Sequence, residues 1–191
     1  YTGRPGLPPP DASRKRRDGY SPEAELAIEK SNIDAIGPVT MGSMEWLGRE
    51  TNNSVESLTK PNPTQAIAAI LSALKGETDA NVLVAAYECD KKGKIPEEIQ
   101  TIINNKRQKC LKIVVIEDSL SGITAFTNAK KLFDVVGLKI DITIIGVHGG
   151  SEEKYKSFNQ LAETEHINAI TCTTINDGLK IYFDQRMKGE L

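Results

Sequence analysis

The stretch that decides the fold is Lys112-Ile113-Val114-Val115-Ile116-Glu117-Asp118-Ser119-Leu120-Ser121-Gly122. Its first half is a short, unbroken β-branched run, the pattern of a strand covered on both faces inside a parallel sheet. Its second half turns polar and small, and the spacing predicts a helix over 121–133 with Gly122, Phe126, Ala129 and Phe133 on one face. Moving outward, 142–147 is a second buried strand, followed by Gly149-Gly150 and a helix capped by Ser151, with Tyr155, Phe158 and Leu161 inward. A third strand over 168–173 precedes a closing helix over 176–187 that carries Leu179, Tyr182, Phe183 and Met187. Strand and helix alternate three times. That rhythm predicts an α/β fold: a doubly wound, Rossmann-like parallel sheet flanked by helices.

Toward the N-terminus, Ile67, Ile70, Leu71 and Leu74 form an amphipathic stripe opened by Pro63 and stopped by Gly76. Residues 79–91 contain Val82-Leu83-Val84, which suits a strand, but length, Asp79 as cap and Gly93 as stop favour a helix. A further helix is expected from Pro96, with Ile99, Ile102 and Ile103 on its apolar side. Residues 33–58 are poorly periodic and interrupted by Gly37, Pro38, Gly42 and Gly48, which predicts a small excursion carrying Trp46 as a packing residue. Ser21 and Pro22 read as N-cap and first residue of a helix with Glu23 and Glu25 at its positive end. Residues 5–19 hold five prolines or glycines before the run Arg14-Lys15-Arg16-Arg17-Asp18, so they read as irregular, with the basic run a solvated loop.

The 191 residues suit one domain, 1–191, in which 5–55 is read as a small cap or insertion. Hydrophobic residues make up 39% and charged residues 26%, which suits a water-soluble globular chain with a proper core. A net charge of -2 gives no pull toward nucleic acid or an anionic membrane, and no apolar run is long enough to span a bilayer. Cys89, Cys110 and Cys172 lack metal-ligand spacing, so isolated thiols in a reducing, cytoplasmic compartment are expected. Oligomeric state is left open.

In an open parallel sheet, ligands bind beyond the carboxyl ends of the strands. Glu117 and Asp118 follow the first apolar run there, and two adjacent carboxylates are costly unless a cation or donors compensate them. Hard oxygen ligands at that place suit Mg²⁺ with waters and a substrate phosphate, and equally suit capping of the next helix. His148 follows the second strand; His166 is read as structural. Lys60 precedes Pro61-Asn62-Pro63, so an extended backbone aims its ammonium toward a helix start. Thr2 and Gly3 offer a hydroxyl and a backbone amide at what reads as the end of a strand whose beginning is absent.

Thr2-Gly3-Arg4, Leu58-Thr59-Lys60-Pro61-Asn62-Pro63 and Glu117-Asp118-Ser119-Leu120-Ser121-Gly122 occur in the order of motifs two, three and four of haloacid dehalogenase-type phosphatases. The chain resembles that superfamily over residues 1–5 and 55–150. The resemblance implies a HAD-like core and a Mg²⁺-dependent phosphomonoester hydrolase or phosphotransferase acting on a small phosphorylated metabolite. An aspartate attacks the phosphoryl group in that family, and water then hydrolyses the aspartyl-phosphate. Carried onto this sequence, Thr2, with Gly3 and Ser119, contacts phosphate oxygens; Lys60 neutralises phosphoryl and nucleophile charge; Asp118, with Glu117 alongside, holds Mg²⁺.

The departure from the family is equally definite. No apolar strand in this sequence is followed by Asp-x-Asp-Gly, and Asp11 and Asp18 stand in polar surroundings. The expectation is therefore a binding half whose nucleophile lies outside the chain. A non-catalytic regulatory relative is the alternative. A receiver-type signalling domain fits less well, because 168–173 ends in threonines rather than a phospho-accepting aspartate.

Overall fold

The computed structural model describes residues 1–13, 19–32, 34–35, 37–94, 97, 100–101 and 110–189. The run Arg14-Lys15-Arg16-Arg17-Asp18 lies outside the described residues, as does most of the helix expected from Pro96. The chain divides into two compact units, Tyr1–Gln108 and Lys109–Leu191.

The second unit contains the alternation legible in the sequence. Strands β1 (Leu111–Glu117), β2 (Ile140–Val147) and β3 (Asn168–Cys172) are followed by helices α5 (Leu120–Val135), α6 (Glu152–Glu165) and α7 (Ile175–Lys188). The sheet is parallel with order β1-β2-β3; Leu111 pairs with Ile140, Glu117 with Gly146, and Val147 with Cys172. The architecture is α/β with a three-stranded parallel sheet, consistent with a Rossmann-like fold.

Two glycines mark how helices meet the sheet. A Cβ on Gly146 would lie 2.8 Å from Phe158 of α6, and one on Gly178 of α7 would lie 2.3 Å from Ile145. Adjacent residues on β2 point to opposite faces, so α6 and α7 cover opposite sides of the central strand. Ile145, Ile170, Cys172 and Tyr182 form the core on the α7 side. Burying an isoleucine or phenylalanine there or under α5, where Phe133 is fully enclosed, contributes about 2 kcal/mol each.

Two expectations need correction, the coverage of β1 and the facing of Tyr155. β1 is not covered on both faces: Val115 is buried, while Val114 and Ile116 are 38% and 41% exposed. It is an edge strand packed by α5, whereas α7 packs on β2 and β3. On α7, Gly178, Leu179 and Tyr182 take the sheet, which turns Phe183 outward against Tyr182 and leaves Met187 88% exposed. Tyr155 is likewise exposed, its ring edge-on to His148 at 5.5 Å. His166 ends α6 in the left-handed conformation (φ 52°), a structural position.

The first unit comprises α1 (Glu23–Ser31), α2 (Met41–Thr51), a 3-10 turn (Val55–Ser57), α3 (Thr64–Lys75) and α4 (Ala80–Lys92), seven α-helices in all among the described residues of the two units. The ambiguity over 79–91 resolves as helix: the Asp79 carboxylate accepts from Val82 N–H at 2.8 Å, and Gly93 closes the far end at φ 61°. Residues 41–51 are a helix rather than a broken excursion. Thr40 and Ser43 form a reciprocal capping box, and the glycines there serve close approach. A Cβ on Gly42 would lie 1.8 Å from the Gly6 carbonyl oxygen. Trp46 is buried on this helix, as its packing role requires. At α1, Pro22 rather than Ser21 occupies the cap, Ser21 turns to the Glu23 carboxylate, and Ala24 N–H donates to the distant Pro5 carbonyl at 2.8 Å.

Candidate functional site

Thr2, Gly3 and Lys60 belong to the first unit, and Glu117, Asp118 and Ser119 to the second. Each set is built by its own unit.

In the first unit, the opening segment runs extended beside 39–41: Thr2 N–H donates to Val39 O at 2.9 Å and Met41 N–H to Arg4 O at 3.1 Å. The Thr2 hydroxyl accepts from Arg4 N–H at 3.2 Å, which curls the chain tightly at Gly3. Gln65, fully buried at the start of α3, donates from Nε2 to Thr2 O at 3.1 Å. Lys60 lies just before that helix, and its Nζ stands 5.7 Å from the ring centroid of Tyr1. The loop reaches α3 through Asn62, whose N–H donates to Thr59 O and whose side-chain amide donates to Glu56 O. Thr2 and Lys60, 58 positions apart in the numbering, are thus drawn into one neighbourhood through Gln65 and Tyr1.

In the second unit, the two adjacent acids are used differently. Glu117 is only 8% exposed; its Oε1 accepts from the Ser119 hydroxyl at 2.6 Å. Its carboxylate also presses on the first turn of α5, where a Cβ on Gly122 would lie 2.1 Å from Glu117 Cδ. Ser119 caps α5 by accepting from Gly122 N–H at 3.2 Å. Asp118, one residue on, projects to solvent at the carboxyl end of β1. Alternation along the strand explains the difference: buried Val115 and Glu117 share a face, and the chain leaves the sheet at Asp118.

The loops after β2 and β3 complete this rim. Gly149 and Gly150 take positive φ values of 61° and 87°, which turns the chain straight into α6, capped by Ser151. Gly150 N–H donates to His148 Nδ1 at 3.2 Å, so Nδ1 is the acceptor and Nε2 carries the proton in the neutral ring, 3.5 Å from the Thr173 hydroxyl. Lys154, in the first turn of α6, donates from Nζ to the Asp118 carbonyl oxygen at 3.0 Å. Cys172 ends β3, but burial raises its thiol above the ordinary value, so it stays protonated at neutral pH and is a poor nucleophile.

Hard oxygen donors at a strand end fit Mg²⁺, which needs only one or two carboxylates together with waters. Asp118 is the exposed carboxylate at the end of β1, while the Glu117 carboxylate faces α5. Among the described residues, no three His, Cys, Asp or Glu side chains gather into a metal-holding group. A cleft of about 650 Å³ in the first unit contains none of the sequence-predicted residues. Among its acids, Asp11 accepts from Ala80 N–H, Asp79 caps α4, Lys75 pairs with both Asp79 and Glu77, and Glu25 accepts from Leu7 N–H through Oε1 while its buried Oε2 meets no partner among the described residues.

Sequence reasoning missed Gln65 and Lys154. Both carried a signal: Gln65 is a polar side chain on a buried helical face, and Lys154 follows the second strand at a capped helix start. No protein family, curated protein or solved structure matches the chain. No described helix is long and apolar enough to cross a membrane.

Proposed function

We propose that this chain is the phosphate- and metal-binding part of a Mg²⁺-dependent phosphomonoester hydrolase or phosphotransferase, built on a doubly wound, haloacid dehalogenase-like core. Its substrate is a small phosphorylated metabolite, and its three thiols, none in a disulfide, suit a reducing cytoplasm. One observation carries the reading: of two adjacent acids at the end of a parallel strand, Glu117 braces α5 while Asp118 is presented to solvent. A strand end that needed only a helix cap already has one in Ser119, so capping does not account for Asp118.

In this reading Asp118 holds Mg²⁺, which would supply charge neutralisation on the transferring phosphate. Within the first unit, the resemblance gives Lys60 the role of offsetting phosphate charge, and Thr2 and Gly3 that of donating to phosphate oxygens. Ser119 contributes through the backbone of its turn, its hydroxyl being engaged with Glu117 and Gly122. The nucleophile is a carboxylate outside these residues. It forms a bond to phosphorus as the phosphorus–oxygen ester bond breaks and the leaving oxygen takes a proton from water, and a second water then adds to phosphorus, releases inorganic phosphate and regenerates the carboxylate.

Calorimetric titration of the chain with Mg²⁺ tests the proposal. Asp118→Asn is expected to weaken binding by more than about tenfold, and Glu117→Gln far less. Equal Mg²⁺ affinity in Asp118→Asn and the unchanged chain would remove the metal from this site and the phosphatase reading with it.

A further inference from the structure

We infer that Lys154 is a phosphate-contacting residue of the Asp118 site. The inference rests on the Mg²⁺-phosphate reading and adds a cation that the three motifs do not include. Lys154 comes from α6, beyond the second strand, yet its Nζ reaches the backbone of the first strand's exit turn, 3.0 Å from Asp118 O. The turn that permits this is specific. Gly149 and Gly150 adopt positive φ, which side chains rarely tolerate, and Ser151 accepts from Lys154 N–H at 3.3 Å, which holds the first turn of α6 in place.

The partner of this ammonium is what gives it a use. Lys130, Lys131 and Lys156 all pair with carboxylates, at 2.6 to 2.8 Å. Lys154 instead bonds a neutral carbonyl and, among the described residues, no carboxylate. A carbonyl orients an ammonium without neutralising it, and two of its three N–H donors stay available. The charge is therefore held at the rim beside the Asp118 backbone, ready for an anion. A phosphate dianion coordinated to Mg²⁺ on Asp118 has oxygens to accept those donors, and charge-assisted bonds of this kind are among the stronger ones available. Without the anion the same ammonium opposes Mg²⁺. Lys154 thus acts with opposite signs on the two ligands.

That opposition is the test. The chain and its Lys154→Met and Lys154→Arg variants are titrated with Mg²⁺ alone, then with inorganic phosphate at saturating Mg²⁺. Lys154→Met is expected to weaken phosphate about tenfold while leaving Mg²⁺ alone unchanged or up to about threefold tighter, and Lys154→Arg is expected to recover most of the phosphate affinity. Phosphate binding within about twofold of the unchanged chain, or phosphate and Mg²⁺ affinities falling together as a structural role requires, would overturn the inference while leaving the Asp118 reading in place. Failure of the unchanged chain to bind phosphate, although it binds Mg²⁺, would do the same. Failure to bind Mg²⁺ at all would instead remove the reading beneath it.

Discussion

The two units are built on different logics. The second repeats one local move three times: an apolar strand, a Ser or Thr cap, and a helix that returns along the sheet. The first has no strand among its described residues, and distant groups hold it together. Gln65 grips Thr2, Asp11 caps Ala80, and the Glu25 carboxylate accepts from Leu7 N–H at 2.9 Å. The tightest glycine approaches of the first unit include main chain against main chain, at Gly42 and Gly48, whereas those of the second meet side chains, at Gly122, Gly146 and Gly178. Substitutions at glycines in the two units should therefore differ in size and in kind.

The largest effect is expected in the first unit. In Gly42→Ala the new methyl meets the Gly6 carbonyl oxygen at 1.8 Å, backbone against backbone, with no side chain able to swing away. A loss of about 3 kcal/mol is expected, read by urea unfolding and by faster amide exchange across α2. A tolerated alanine would mean that the opening segment does not pack on α2 as described.

Gly122→Ala sharpens the contrast. Its methyl meets Glu117 Cδ at 2.1 Å, the end of a side chain rather than main chain. About 1–2 kcal/mol is expected, and most of it should vanish in a Glu117→Ala background. Strict additivity in that double-mutant cycle would separate Glu117 from α5 and weaken the division between the two acids.

The smallest effect is on pH dependence. Burial pushes the Asp79 carboxyl up, but hydrogen bonds from Lys75 and Val82 N–H outweigh it, so its folded pKa lies below the ordinary value. A lowered folded pKa gives stability that is present above the unfolded value and lost as pH falls through the folded one. The urea midpoint of the first unit should fall below about pH 4, and Asp79→Asn should flatten that limb. The gain is small, because the pair is only partly buried and its desolvation offsets part of the attraction. An unchanged limb in Asp79→Asn would assign the acid sensitivity to other groups.

Legibility followed how local each signal was, in both units. Strands 112–116 and 142–147, with the Ser151 cap, could be read from sequence because β-branched runs and caps act over a few residues. The outward turn of Phe183 could not, because α7's facing is set by where Gly178 meets Ile145. Helix α2 was obscured because Gly42 and Gly48 resemble breaks, and their purpose appears only when Gly6 and Asn53 are brought beside them. In the site, Asp118 and Glu117 stood out as a pair, but their separate duties depend on which one shares a strand face with Val115.

By itself the sequence determined the alternation of strands and helices in the second unit, the Asp79 and Ser151 caps, and the rim on which the polar groups stand. Hydrophobic period and capping chemistry are properties of neighbouring residues, and they act wherever the chain goes. Tertiary structure alone decided which glycines are contacts, that β1 keeps one open face, that Gln65 meets Thr2 and that Lys154 reaches the carbonyl of Asp118. Those are meetings between segments far apart along the chain, and only the packed backbone brings them within bonding distance.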